Sequence, residues 1–324
     1  VSLLEIINDI LDLSKIESGK TTISSSEFNL IDIIEDIINL LSPTALEKKI
    51  EVFYRIDPSV QVLVQSDPFR LHQILTNLIG NAIKFTEQGQ VVVRVSLQGP
   101  QEDLPGAHVL LVIQDTGIGI APDKLQQIFQ SFWQADDSTT RRFGGTGLGT
   151  TIARDLTRLM GGRIGVDSEV GQGSTFWVRL PLLGADFRAQ EPAWPKALHG
   201  VRALVFETNT ASRDVIITAC EGMGMSCETL DNIGQLSQLG VKRDALDLII
   251  VADSPAGEDL LGILKLLYHV LGKQVPAVLL GYGNRRLDVE RACHSCLNKP
   301  FFLGQLATVM ERAVQSGDLR SGLQ

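Results

Sequence analysis

The sequence predicts an α/β protein of two domains, an α/β sandwich followed by a doubly wound parallel sheet. Three observations carry this. A length of 324 residues suits about two domains of the usual ~150 residues. Residues 183–199 contain Pro192 and Pro195, lack apolar periodicity and read as a linker. The patterning also changes across that stretch. Long amphipathic helices and alternating strands precede it, whereas short apolar strands and amphipathic segments take turns after it.

Leu3, Ile6, Ile7, Ile10, Leu11 and Leu13 fall at helical spacing that stops at Gly19, the expected end of a helix begun in a longer protein. A second helix is expected over 30–48 and a strand over 50–56. Asp67 can cap a third helix reaching Phe85, stopped by the turn Glu87-Gln88-Gly89. Residues 90–97 and 108–115 read as strands, then come a glycine-rich stretch and a helix from about 150. Strands over 162–166 and 174–180 pair across the turn at 169–173. After the linker, 203–206, 246–251 and 277–280 are the expected parallel strands. The resulting division is 1–20, 21–182, the linker 183–199, 200–315 and a tail 316–324.

A composition of 44% hydrophobic and 21% charged residues is that of ordinary soluble protein. No apolar run approaches the ~18 residues of a membrane span. A net charge of −9 argues against a nucleic-acid partner. Cys293 and Cys296 have CxxC spacing, but with only Cys220 and Cys227 besides, no second such pair completes a zinc site. Reduced structural thiols, and hence a cytoplasmic location, are the expectation.

Three segments carry chemistry. In the third helix Leu71, Ile74, Leu75, Leu78, Ile79, Ala82 and Ile83 form the buried stripe, and Asn77, Asn81 and Lys84 form a polar row opposite. Carboxamide oxygens can ligate Mg²⁺ and an ammonium can meet phosphate, although a plain solvated face looks the same. In the second segment, Asp115-Thr-Gly117-Ile-Gly119 ends an apolar strand with a carboxylate and two glycines that allow close approach of a flat ligand. The third, Gly144-Gly145-Thr146-Gly147-Leu148-Gly149, opens a helix after Arg141 and Arg142. It exposes backbone N–H groups where phosphates bind. It is neither a Walker A loop nor a dinucleotide fingerprint.

In this order and spacing the segments resemble the catalytic domain of sensor histidine kinases, in a superfamily shared with gyrase-type and Hsp90-type ATPases. The resemblance covers about residues 1–182. Residues 77–81 match the N-box, 115–119 the G1 box, Phe129 and Phe132 the F-box, and 145–149 the G2 box. Residues 1–20 are similar to the end of the family's dimerisation helices. The resemblance implies a Bergerat-type sandwich that binds ATP and Mg²⁺, with Asn81 on the metal, Lys84 on the phosphates and Asp115 on the adenine. Phe132, Arg141, Arg142, Gly145, Thr146, Gly147, Leu148 and Gly149 would complete the site with Gly117 and Gly119, and Thr175 would support Asp115. Residues 133–143 would form a lid. The ATPase relatives carry a glutamate where Asn77 stands. Asparagine is no base, so hydrolysis should be poor and the phosphoryl group kept for a histidine. Thr150 and Thr151 depart from the family, where many relatives have an apolar residue, and binding is expected to survive.

None of His72, His108, His199, His269 or His294 has the context of the family's acceptor, so the chain is expected to bind ATP without completing autophosphorylation alone. Implied partners are an upstream phosphoacceptor and sensor segment of the same protein, a second copy of the parent, and a downstream receiver or phosphotransfer protein. The parent would be anchored in the inner membrane by a segment outside this chain. Two rival readings stay open, a free-standing ATPase and a non-catalytic regulator.

Residues 200–315 resemble a response-regulator receiver domain. After the first strand only Glu207 of the expected acidic pair remains, and Ala252 aligns with the phosphoacceptor. Asp253 comes one residue late, Tyr282 replaces a hydroxyl-bearing Ser/Thr, and Lys299-Pro300 is kept. Either Asp253 slips into the acceptor position, or the unit is a pseudo-receiver. The combined losses favour the second.

Overall fold

The computed structural model describes residues 3–57, 60, 63–99, 107–133, 146–182, 194–232, 234, 246–253, 259–282 and 293–321, with side chains from 7 to 316. The chain divides into two units, Val1–Glu191 and Pro192–Gln324.

The first unit runs α1 (Leu3–Glu17), β1 (Ser26–Asn29), α2 (Leu30–Glu47), β2 (Ile50–Ile56), β3 (Leu63–Ser66), α3 (Pro68–Phe85), β4 (Gly89–Gln98), β5 (His108–Asp115), α4 (Gly149–Leu159), β6 (Arg163–Glu169) and β7 (Gly173–Leu180). Its main sheet has the order β2-β4-β5-β7-β6. β2 joins β4 in parallel and the other pairs are antiparallel. Helices pack on one face, so this is the expected sandwich. The apolar stripe of α3 is buried as the periodicity requires, together with Ile33, Ile34, Ile37 and Ile38 of α2. Each such side chain contributes about 1.5–3 kcal/mol by leaving water.

The ends of α3 are fixed chemically. Asp67 accepts from the Arg70 amide at 3.0 Å, and Pro68 occupies the first turn, where no amide partner is needed. At the other end Lys48 Nζ donates to the carbonyls of Ile83, Lys84 and Thr86 at 2.8, 2.6 and 3.1 Å. Those carbonyls lie where a helix runs out of its own amides. α3 is thus held at the register that aims its polar row.

The second unit has β8 (Arg202–Phe206), α5 (Thr210–Gly222), β9 (Ser226–Leu230), β10 (Leu248–Ala252), α6 (Leu260–Leu271), β11 (Ala277–Gly281), β12 (Ser295–Asn298) and α7 (Leu303–Ser321). Its sheet, β12-β11-β10-β8-β9, is parallel throughout. Leu248, Ile250 and Ala252 of β10 face one core with residues of α5 and α7, while Ile249 and Val251 face another with α6. That two-sided burial defines the doubly wound architecture.

Two expected boundaries differ. Of the linker, 183–193 lie outside the described residues, but Trp194 and the fully buried Leu198, in a single 3-10 turn, pack into the core of the second unit. Isolated apolar anchors beside prolines have no periodicity to betray them. The tail at 316–324 is helical as far as Ser321, since α7 continues. The short strands β1, β3, β9 and β12 carry too few alternating residues to be read from sequence.

Candidate functional site

The first unit brings the three segments together. Asn77, Asn81 and Lys84 stand half-buried along α3. Burial, and then the neighbouring Lys48 charge, hold the Lys84 ammonium below its usual pKa. At the end of β5, Asp115 is 5% exposed. Its Oδ1 accepts from the amides of Gly117 at 2.8 Å and Ser174 at 3.2 Å. Burial outweighs these hydrogen bonds and raises the carboxyl above its usual range. Among the described residues no partner engages Oδ2, which leaves one oxygen of an oriented, desolvated carboxylate for a ligand donor.

The glycines of this loop answer first to their own chain. A Cβ on Gly117 would come within 2.5 Å of the Phe85 carbonyl, and one on Gly119, whose φ is +71°, within 2.0 Å of the Glu169 carbonyl. The loop is therefore sealed against the end of α3 and the β6–β7 turn. Ser168 continues the seal, accepting from the Ile120 amide at 2.8 Å and lying 3.0 Å from the Ser174 hydroxyl.

Thr175 does not support Asp115 in the way expected. It pairs with Gln114 in the β5–β7 ladder, so its side chain lies on the other face of the sheet. Ser174 is the residue beside Asp115. It was missed because a one-residue change of register exchanges the faces of a strand.

α4 opens differently from its neighbours. Asn29 and Asp67 close the N-termini of α2 and α3 by side-chain hydrogen bonds, whereas Leu148 at the cap of α4 offers none. Among the described residues no side chain closes its first amides, which lie at the positive end of the helix. A Cβ on Gly149 would lie 3.4 Å from Asn77 Oδ1, which puts this opening against the polar row of α3. Thr146 Oγ1 accepts from the Leu148 amide at 3.2 Å and donates to Asp9 Oδ2 of α1 at 3.0 Å. Asp12 of α1 accepts from Gln73 of α3 at 2.8 Å. Gly147 has φ +71°. Phe132 is 63% exposed with φ +62°. Arg141, Arg142 and Gly145 lie outside the described residues, as does the expected lid apart from Trp133.

Residues 66–184 match the family described as histidine kinase-, DNA gyrase B- and HSP90-like ATPase. The chain is 41% identical over 235 residues to the sensor protein GacS of Pseudomonas syringae pv. syringae, covering 72% of this chain and 26% of that protein. It is 42% identical over 179 residues to hybrid signal transduction histidine kinase B of Dictyostelium discoideum, covering 55% and 9%. The crystal structure of full-length ShkA in complex with AMPPNP superposes with a TM-score of 0.77 at 28% identity, covering 96% of this chain and 62% of that one. Residues 66–184 thus match an ATPase domain of the histidine-kinase type, and the chain is similar to the catalytic region of hybrid sensor histidine kinases. It spans about a quarter of the length of GacS.

The second unit has a buried carboxylate of its own, just past the end of β8. Glu207 is fully buried, and Lys299 Nζ meets its Oε2 at 2.7 Å. Ser212 Oγ donates to the same oxygen at 2.5 Å, and the Asn209 amide to Oε1 at 3.0 Å. Lys299 also donates to the Asp253 carbonyl at 2.7 Å. Val251 of β10 pairs with Phe206, and the next step sets Ala252 beside Glu207. Ala252 is fully buried. The buried position beside Glu207 is thus held by a methyl group, and Asp253 follows one residue later. Cys293 and Cys296 face each other at an Sγ–Sγ distance of 2.8 Å. No group of three metal-ligating side chains gathers among the described residues.

Proposed function

We propose that the first unit binds Mg·ATP between α3, the Asp115 loop and the N-terminus of α4, and presents its terminal phosphoryl group to a histidine outside this chain. The observation that carries this is Asp115, buried, oriented by two amides and open at Oδ2. That oxygen suits the amino group of adenine. Lys84 and the open amides of α4 would hold the phosphates, with Gly145, Thr146, Gly147, Leu148 and Gly149 around them and Arg141 and Arg142 adding charge. Asn81 has the neutral oxygen that suits a metal already paired with phosphate. Magnesium, when bound, would neutralise phosphate charge. Asn77 beside Gly149 supplies a dipole but no base, which supports transfer over hydrolysis. Gly117 and Gly119 keep the loop against α3, Phe132 belongs to the F-box edge, and Ser174 replaces Thr175 as the support of Asp115.

The second unit is a pseudo-receiver in this reading. Its would-be metal carboxylate is spent on Lys299, and Asp253 is out of register. Ile7, Ile10 and Leu11 of α1 are about half exposed, which supports pairing of α1 with further helices and a homodimeric parent. No helix among the described residues is long and apolar enough to cross a membrane. The reading places the chain in the cytoplasm, and any anchor in the inner membrane belongs to other segments of the parent. A downstream receiver or phosphotransfer protein would take the phosphoryl group from the histidine.

Calorimetric titration with a non-hydrolysable ATP analogue, with and without Mg²⁺, tests the proposal. Micromolar binding, about −8 kcal/mol, is expected. Absence of binding to the unaltered chain overturns it.

A further inference from the structure

We infer that Thr150, Thr151 and Arg154 are positioning residues for the nucleotide, a clamp that fixes the F-box turn against the helix bearing the glycine loop. The inference rests on the nucleotide-binding reading above. Thr150 Oγ1 donates to the Ile128 carbonyl at 2.5 Å and Thr151 Oγ1 to the Phe129 carbonyl at 3.1 Å. Arg154 Nη1 donates to the Phe129 carbonyl at 2.6 Å, and its Nε is held by Asp155 Oδ1 at 2.7 Å.

A helical threonine commonly returns its hydroxyl to the carbonyl four residues back, as Thr157 does to Ala153 at 2.7 Å. Thr150 and Thr151 instead reach a segment 22 residues upstream. An apolar side chain at either position could fill the space but could not donate. The segment reached needs such support. From 121 to 133 the chain has neither helix nor strand and is tied to itself by short-range turns. It ends near Phe132 at φ +62°, a conformation that persists only where the surroundings impose it. The turn that bears Thr150 and Thr151 also carries the first amides of the helix, and its Gly149 abuts Asn77. The clamp therefore sets the distance between the F-box turn and the phosphate-facing end of α4, two edges of one site.

The test compares the unaltered chain with Thr150→Val/Thr151→Val, Thr150→Ser/Thr151→Ser and Arg154→Met. Amide hydrogen exchange over 127–133 and calorimetric affinity for the ATP analogue are measured in each. The valine pair keeps the shape and removes both donors, so exchange should rise about tenfold and Kd about fivefold. The serine pair should restore both values, and Arg154→Met, which keeps the helix packing, should move both in the same direction by less. Faster exchange with unchanged Kd would reduce the clamp to a structural tether and overturn the inference, as would unchanged exchange. If the valine pair does not fold, Arg154→Met decides by the same two readouts. An unaltered chain that does not bind the analogue fails the nucleotide reading itself, and the clamp loses its purpose with it.

Discussion

Asp115 and Glu207 invite comparison, because each is a buried carboxylate just where a central strand ends. Asp115 has amide partners on one oxygen and, among the described residues, no ion-pair partner, and burial raises its pKa. Glu207 has partners on both oxygens, one of them the ammonium of Lys299. An incompletely satisfied buried charge is costly, and a protein retains it where a ligand completes it. A fully satisfied one has nothing left to bind with. The two units thus show one motif, a strand-end acid, in a state open to ligand and in a sealed state.

The largest effect expected from breaking this contrast is on the sealed side. Lys299→Met leaves Glu207 buried without its cation and should cost the second unit about 3–5 kcal/mol in denaturant unfolding. Lys299→Met with Glu207→Gln should recover most of that loss. A single mutant of unchanged stability would show that the pair is not the seal described. On the open side, Asp115→Asn keeps the acceptor for the two amides but discards the charge. Affinity for the ATP analogue should fall about 10- to 100-fold, and equal affinity would remove Asp115 from the site.

The same variant carries a smaller effect on stability, of opposite sign. Since the folded pKa of Asp115 is raised, its contribution to stability is fully present below the unfolded carboxylate pKa and is lost as pH rises through the folded value. At neutral pH, Asp115→Asn should therefore melt above the unaltered chain. The gap should close as pH falls into the range just above ordinary carboxylates. A gap that widens on acidification contradicts the assignment. The smallest expected effect is none at all. Beryllofluoride with Mg²⁺ should leave the NMR spectrum of the second unit unchanged, and Mg-dependent shifts centred on Asp253 would reopen the sealed site.

The sequence alone made much of this legible, and the division follows the range of the interactions. α3 could be read from its seven-residue apolar stripe and Asp67, because periodicity and capping are local. Asp115 could be read as a strand-end acid for the same reason. The choice between Ser174 and Thr175 depended on the register of β7 against β5, 59 residues away in the case of the Ser174–Asp115 bond. Lys299 and Glu207 were each visible as remnants of a receiver, but their union spans 92 residues. Leu198, an apolar residue in an aperiodic stretch, was hidden for want of pattern rather than for distance. Thr150 and Thr151 were visible as a departure, and only their distant carbonyl partners give them a purpose.

Asp9 and Asp12 of α1 have a further consequence. Three residues apart, they lie on one stripe of that helix. One grips Thr146 at the mouth of α4 and the other Gln73 on α3. Each residue of a helix turns the next by roughly 100°. A twist of α1 by even part of that angle would swing both carboxylates off their partners together and release the Thr146 hydroxyl. A slight bend would strain one grip before the other. α1 is thereby geared to the two walls of the cleft like a key with two teeth, sensitive first to rotation about its own axis.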